Sequence, residues 1–338
     1  MTGGNPMAEH IADNLWKLDI PLVGNPLKNL NSYLILSEDR SLLIDTGFRQ
    51  QPCLDAMERQ LKELGVNRDR MDIFVTHLHS DHTGLAPTLL RPGCQLYIGQ
   101  IDGRLLDYTP SDEYWQRDYI MYMANGFSKE EIEHLWDTNP AQIAAPDNWK
   151  PEFTLLRDGA RLQYGGHTLR VILTPGHTPG HVCLYAEEKR WLFSGDHVLF
   201  HITPNICRWM FMPDALGSYL ESLDKIRNLD TQLLLPAHRA ETGILSVRVD
   251  ELKQHHARRL ANTMQVVGDL PGMNAYEIAG HMSWKIRSRN WDEFPLAQKY
   301  FAVGETLAHL DYLSLRGKLR FKKKNGIYVY YPADTDAQ

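Results

Sequence analysis

The sequence predicts an α/β (α+β) chain whose strands end in a cluster of metal-binding side chains. Three observations predict it. Apolar, β-branched runs such as MDIFV (71–75) and LRVILT (169–174) have strand composition. Stretches 50–64 and 214–229 carry apolar residues at helical spacing. Segment 153–174 echoes the strand–turn–strand pattern of 31–47, as expected of two similar halves that face each other.

Taken in order, LWKLDIPL is followed by a hairpin: YLIL, the polar turn SEDR, then SLLID. Asp45-Thr46-Gly47 closes that strand. The helix over 50–64 places Leu54, Met57, Leu61 and Leu64 on one face, and Gly65 stops it. Strand 71–75 runs into THLHSDHTG (76–84), and GLAPTLL starts a helix. QLYIG (95–99) is another short strand.

Residues 100–150 are dense in aromatics: Tyr108, Tyr114, Trp115, Tyr119, Tyr122, Phe127, Trp136 and Trp149. They read as a helical insertion packed onto the strands, a cap whose inner face also walls a substrate pocket. FTLLRDGARLQYGGHTLRVILT turns at Gly165-Gly166, and CLYAEEKRWLFSGD is a further hairpin. TQLLLPAH is a strand ending in His238. Residues 246–271 form a polar linking helix. The tail, 272–338, contains helices and then LRFKKKNGIYVYYP, a hairpin turning at Asn325-Gly326. Helices followed by a two-stranded wing resemble a winged-helix module.

Composition narrows the classes. A formal net charge of -6 argues against bulk attraction to nucleic acid. The tail holds ten Lys+Arg against seven Asp+Glu, focused in Arg316, Lys318, Arg320, Lys322, Lys323 and Lys324. That favours a solvated packing or homodimerisation module over a nucleic-acid platform. Cys53, Cys94, Cys183 and Cys207 are scattered, so reduced thiols and a cytoplasmic setting are expected. MTGGNPMAEH lacks an apolar signal core, and no run approaches a membrane span. A secreted antibiotic-destroying role is therefore disfavoured.

The chemistry concentrates in THLHSDHTG, with His77, His79, Asp81 and His82 within six positions. Alternation sends His77 and His79 to one side of an extended chain. The turn that follows swings Asp81 and His82 to a second point nearby. Imidazole and carboxylate without thiolate suit zinc, with iron and manganese as alternatives.

The stretch resembles the HxHxDH signature of the metallo-β-lactamase superfamily, in its glyoxalase II-like and β-lactamase-like 2 branch. The family's later motifs are also here, in order: TPGHTPGH with His177, LFSGDHVL with Asp196, and LLLPAH with His238. One departure is PAHRAE where the family usually has PGH followed by Gly. The resemblance covers about residues 14–245. It implies an αββα sandwich with a binuclear site at one edge. It also implies that His77, His79 and His177 hold one metal, and Asp81, His82 and His238 the other, with Asp196 bridging. A metal-bridging hydroxide would be the nucleophile and Asp81 would orient it and carry a proton, so Asp81 and Asp196 are the expected catalytic carboxylates. Asp45 is expected beside the site without binding metal. His181 is expected as a supporting or structural residue, His201 on a loop near the metals, and His255, His256, His281 and His309 as surface or helix residues. A related di-iron flavoprotein branch has Glu at the position of His79, so His79 favours zinc and hydrolysis.

Two functions from different classes remain. One is hydrolysis of an ester-type bond (thioester, ester or lactone) in a small acyl molecule. The other is single-strand RNA cleavage on the winged tail.

Overall fold

Side chains alternate across each strand, and in the central strands both faces are buried. A computed structural model of the 338-residue chain describes residues 8–138, 152–240, 243–284 and 290–333. A seven-stranded sheet runs in chain order: β1 (Glu9–Ala12), β2 (Leu15–Pro21), β3 (Asn29–Ile35), β4 (Ser41–Ile44), β5 (Met71–Val75), β6 (Leu96–Gly99) and β7 (Thr154–Leu156). A five-stranded sheet has β12 (Leu233–Pro236), β11 (Trp191–Gly195), β10 (Val182–Ala186), β9 (His167–Leu173) and β8 (Arg161–Tyr164) as neighbours in that order.

The layers follow from the two-residue period. Leu42 and Ile44 of β4 meet Val182, Leu184 and Phe193 in a cluster shared by both sheets. Leu43, between them, faces away and packs with Met57 and Leu61 of the helix Gln51–Glu63. On the second sheet Cys183 and Leu192 turn outward onto Leu216, Tyr219 and Leu223 of the helix Ala215–Ile226. The expected αββα sandwich is therefore present. The hairpin turn at Gly165-Gly166 has φ of 57° and 81°, a backbone that glycine adopts without strain.

One strand lies elsewhere than the sequence pattern suggests. FTLL supplies β7, which pairs in parallel with β6 at the edge of the first sheet. The chain crosses to the second sheet before β8, so FTLL and RLQY are not partners. Both read as strands, and nothing local in either records which sheet it joins.

The aromatic insertion also packs on an unexpected surface. Its helices, Gln100–Leu105, Asp112–Met123 and Lys129–Thr138, lead away from β6. Tyr114, Trp115, Tyr119, Tyr122 and Phe127 join a cluster with Ile278, Val303, Leu307 and Leu310 of the C-terminal helices Ala275–His281 and Leu296–Leu315. Tyr122 and Tyr300 stack with ring centroids 4.3 Å apart. The Tyr328 amide donates to the Ala124 carbonyl at 2.8 Å, tying in the hairpin of β13 (Leu319–Lys324) and β14 (Ile327–Pro332). The insertion thus makes one core with the tail, because the aromatic faces of both find more apolar area in each other. Trp149 lies outside the described residues. The helix Leu245–Asp269 buries a stripe through Leu245, Val249, Leu252, His256, Thr263 and Val266. His256 and His309 are helical, as expected, but buried against each other, with Nδ1 and Nε2 3.2 Å apart. No helix among the described residues is long and apolar enough to cross a membrane.

The shared core contains a carboxyl group with a measurable consequence. Asp118 is buried and accepts from the Tyr300 hydroxyl at 2.6 Å. Burial pushes its pKa up to about 7, against smaller opposing effects of Tyr300 and Arg208. The unfolded chain releases this proton near pH 3.9. Native stability is therefore lost as pH rises from about 4 through 7. Asp118→Asn keeps the acceptor and has no proton to lose. Its unfolding free energy is expected to match wild type near pH 4 and to exceed it at pH 8 by an amount on the order of a few kcal/mol. An equal difference at both values would rule this out.

Candidate metal centre

The topology brings strand ends to one edge. β4 and β5 are parallel, so Asp45 and the 76–84 segment leave the first sheet at the same end. β9 runs antiparallel to β10, β10 antiparallel to β11, and β11 parallel to β12. The segment after β9 (His177), the residue after β11 (Asp196) and the segment after β12 (His238) therefore leave the second sheet together. A Val182 amide to Thr76 carbonyl hydrogen bond of 2.9 Å joins the two edges.

All seven residues expected to bind metal converge there. His77, His79 and His177 form one group, Asp81, His82 and His238 a second, and His77, His82 and Asp196 a third; within each, the offered atoms lie within 4.8 Å of one another. His79 Nδ1 lies 3.0 Å from both His77 Nε2 and His177 Nε2. Asp196 spans the groups, with Oδ2 3.5 Å from His177 Nε2 and Oδ1 3.4 Å from His238 Nε2. Asp81 Oδ2 is 3.4 Å from His238 Nε2.

The protein sets which imidazole nitrogen faces inward. His82 Nδ1 donates to Asp45 Oδ2 at 2.8 Å, His177 Nδ1 to the Asn205 carbonyl at 2.9 Å, and His238 Nδ1 to the Asn29 carbonyl at 2.8 Å. Each ring then turns Nε2 to the centre, where a cation can take its lone pair. His77 Nδ1 lies 3.1 Å from Thr76 Oγ1, which itself donates to Asp45 Oδ2 at 2.9 Å. Asp45 thus sits beside the site, as expected, and it holds a φ of 59°, a conformation Asp tolerates better than most residues.

Burial drives His77 well below its ordinary pKa and His79 down to about 3, and neighbouring imidazoles add to both effects. Burial also opposes charge on His82, but Asp45, Asp81 and Asp196 outweigh it and raise His82 to about 10. Asp81 is held below its usual value: burial works against this, and His82 and His238 prevail. The first group is therefore neutral imidazole, and the second is rich in carboxylate. His82 Nε2, His238 Nε2 and Asp196 Oδ1 are buried with no hydrogen-bond partner in the protein. Unpartnered ring nitrogens and a carboxylate oxygen converging on one point are costly to bury, and a cation between them would displace the imidazole proton and satisfy all three. This donor set fits divalent cations.

Supporting residues surround these ligands, and Asp102 among them had no signal in the sequence. Asp102, on the helix after β6, is buried and accepts from the Leu78 amide at 3.0 Å, Thr178 Oγ1 at 2.6 Å and the Gly180 amide at 2.5 Å. It clamps the loop of His77 and His79 to the loop of His177. Burial raises its pKa to about 6 despite these donors. His181 is structural in this sense: its Nε2 accepts the Asp196 amide at 3.2 Å, and Nδ1 lies 2.8 Å from Thr174 Oγ1. A Cβ at Gly195 would sit 2.6 Å from that Nε2, so the residue before Asp196 must be glycine. Trp209 stacks on His79 with centroids 6.0 Å apart. His201 is exposed with φ of 64° and belongs to none of these groups.

Comparison with known proteins agrees with this fold. Residues 26–238 match the family described as the Metallo-beta-lactamase superfamily, and residues 291–333 match the Metallo-beta-lactamase-like, C-terminal domain. The lactamase-like protein adaB of Aspergillus niger is 26% identical over 77% of this chain, and the match spans 65% of adaB. An atrochrysone carboxyl ACP thioesterase of Emericella nidulans is 27% identical over 63% of this chain and 52% of its own length. Among solved structures, a metallo-beta-lactamase family protein of Thermus thermophilus superimposes with a TM-score of 0.79 at 27% identity, covering 94% of this chain and 98% of that one.

Proposed function

Because the chain belongs to the metallo-beta-lactamase superfamily, we propose that it is a binuclear metal-dependent hydrolase that cleaves a thioester-type bond in a small acyl substrate. The observation that carries the metal part is the convergence of the buried, unpartnered His82 Nε2, His238 Nε2 and Asp196 Oδ1. The thioester part is supported by the relatives named as ACP thioesterases. Only 52% of the Emericella nidulans enzyme is matched, so its particular acyl group is not carried over.

In this reading His77, His79 and His177 would hold one ion, Asp81, His82 and His238 would hold the other, and Asp196 would offer an oxygen to each. Zinc suits the all-imidazole first group best, with iron and manganese as alternatives. When bound, such ions supply Lewis acidity and lower the pKa of water to about 7. The chain's own residues do the rest. Asp81 lies beside His82 and His238, where its carboxylate would orient the attacking water and relay its proton. Attack forms the C–O bond and breaks the C–S bond, and Asp81 then hands that proton to the leaving thiolate. Asp196 holds the two groups of ligands at fixed separation.

The reading divides the chain into a sandwich over 14–245 with the 100–150 insertion, a linking helix over 246–271 and a winged-helix-like module over 272–338. A cytoplasmic setting belongs to it, supported by the free Cys53, Cys94, Cys183 and Cys207. Single-strand RNA cleavage ranks second. Its support is the exposed face of β13, where Arg320 and Lys322 lie 5.2 Å and 4.8 Å from the Tyr331 ring.

The test is release of free thiol from a panel of acyl thioesters by zinc-loaded protein, with single-stranded RNA assayed in parallel. Zinc-dependent turnover of at least one thioester is expected. No turnover across the panel, with RNA cleaved instead, would replace the first reading by the second.

A further inference from the structure

The segment 205–209 lies between the metal-binding edge and the C-terminal helix Leu296–Leu315, and it contacts both. On the inner side the Asn205 carbonyl accepts from His177 Nδ1 at 2.9 Å. Trp209 Nε1 donates to the His177 carbonyl at 3.1 Å, and the Trp209 ring lies on His79 at an interplanar angle of 24°. One imidazole is thus gripped at both its ring and its backbone, and a second is backed by an indole face.

On the outer side the Arg208 amide donates to the Gly304 carbonyl at 3.0 Å. Cys207 Sγ donates to the Phe301 carbonyl at 3.6 Å, and Arg208 Nε pairs with Asp311 Oδ2 at 3.1 Å. Gly304 makes the approach tight: a Cβ there would lie 2.6 Å from the Tyr122 hydroxyl and 2.9 Å from Cys207 Sγ. The helix, the insertion and the segment therefore meet at a point with no spare volume. A shift of the helix is transmitted to Cys207 rather than absorbed.

We propose that residues 205–209 are a strap through which the C-terminal helix positions His177 and His79, with Trp209, Arg208 and Gly304 as positioning residues. The C-terminal module then acts on the metal centre from outside it, by fixing two imidazoles in a productive orientation. This rests on the reading that those imidazoles hold a metal. It assigns the module a role that needs neither nucleic acid nor a second copy.

The experiment uses the full chain. Trp209→Phe keeps an aromatic face on His79 and removes the hydrogen bond to the His177 carbonyl. Gly304→Ala changes no strap residue and pushes on Cys207 and on the Tyr122 hydroxyl from the helix. Zn²⁺ affinity is measured by competition with a chromophoric chelator. The visible spectrum of Co²⁺-substituted protein reports ligand geometry, and thermal melting reports folding. Both variants are expected to fold and to bind one of two Zn²⁺ about 10-fold more weakly, the lower end for loss of a partner behind a ligand. The Co²⁺ bands are expected to shift. If Gly304→Ala fails to fold, Trp209→Phe carries the test alone. Wild-type affinity and an unchanged Co²⁺ spectrum in the folded variants would overturn the strap. Absence of Zn²⁺ binding by the wild-type chain would instead overturn the metal reading beneath it.

Discussion

Asp196→Ala is expected to lose metal and activity together. Its carboxylate reaches both sets of ligands, with Oδ2 toward His177 and Oδ1 toward His82 and His238 at 3.5, 3.7 and 3.4 Å. Alanine removes both oxygens and leaves the imidazoles facing a gap. The Asp196 amide still reaches His181, so the loop keeps its anchor. Losing a partner behind a ligand typically costs 10–100-fold in affinity or rate. Losing the bridging group itself is expected to cost more than about 100-fold in thiol release, with metal content falling below two ions per chain. Elemental analysis of desalted protein, alongside the thiol assay, checks both. A variant that retained two metals and the full rate would refute the bridging role.

Asp45→Asn is expected to damage the site without removing any ligand. Asp45 accepts from the Thr76 amide at 2.9 Å and from His82 Nδ1 at 2.8 Å. Asparagine tolerates the same φ of 59°, so the turn survives. It has one acceptor oxygen instead of two. With that oxygen on Thr76, its amide nitrogen faces His82 Nδ1, and two donors cannot pair. His82 then favours the other tautomer and turns a protonated Nε2 toward Asp81 and Asp196. The expected loss of affinity for the second ion is roughly 10–100-fold. Histidine resonances in nitrogen-15 spectra of metal-free protein read the protonation of each His82 nitrogen directly. Unchanged protonation of His82 Nδ1 together with wild-type zinc affinity would disprove the mechanism.

How much of this was legible in the sequence depends on the range of each interaction. His77, His79, Asp81 and His82 were legible because one strand end and one turn place them, and that geometry is local. His177, Asp196 and His238 were legible only through the family's motifs. Their spacing alone does not say that three separate strand ends meet. The hairpins at Gly165-Gly166 and Asn325-Gly326 were legible because the turns need backbones with positive φ, and both have them.

The supporting contacts were not legible, for two reasons. Asn205 and Asn29 act through main-chain carbonyls, which every residue possesses, so no residue type announces them. Asp102 holds Thr178 from 76 residues away, and a lone acid in a short helix carries no mark of what it accepts from. The aromatic insertion shows the same limit. Its helical spacing predicted a buried face, but Tyr300 reaches Asp118 across 182 residues, and only the folded chain makes them neighbours. The sequence by itself determined the strands, the turns and the chemical character of the metal ligands, because periodicity, φ preference and donor type are properties of short segments. Tertiary structure alone decided which sheet β7 joins, which nitrogen of each imidazole faces inward, and that the insertion packs on the C-terminal helices. Those outcomes depend on burial and hydrogen bonding between segments far apart in the chain.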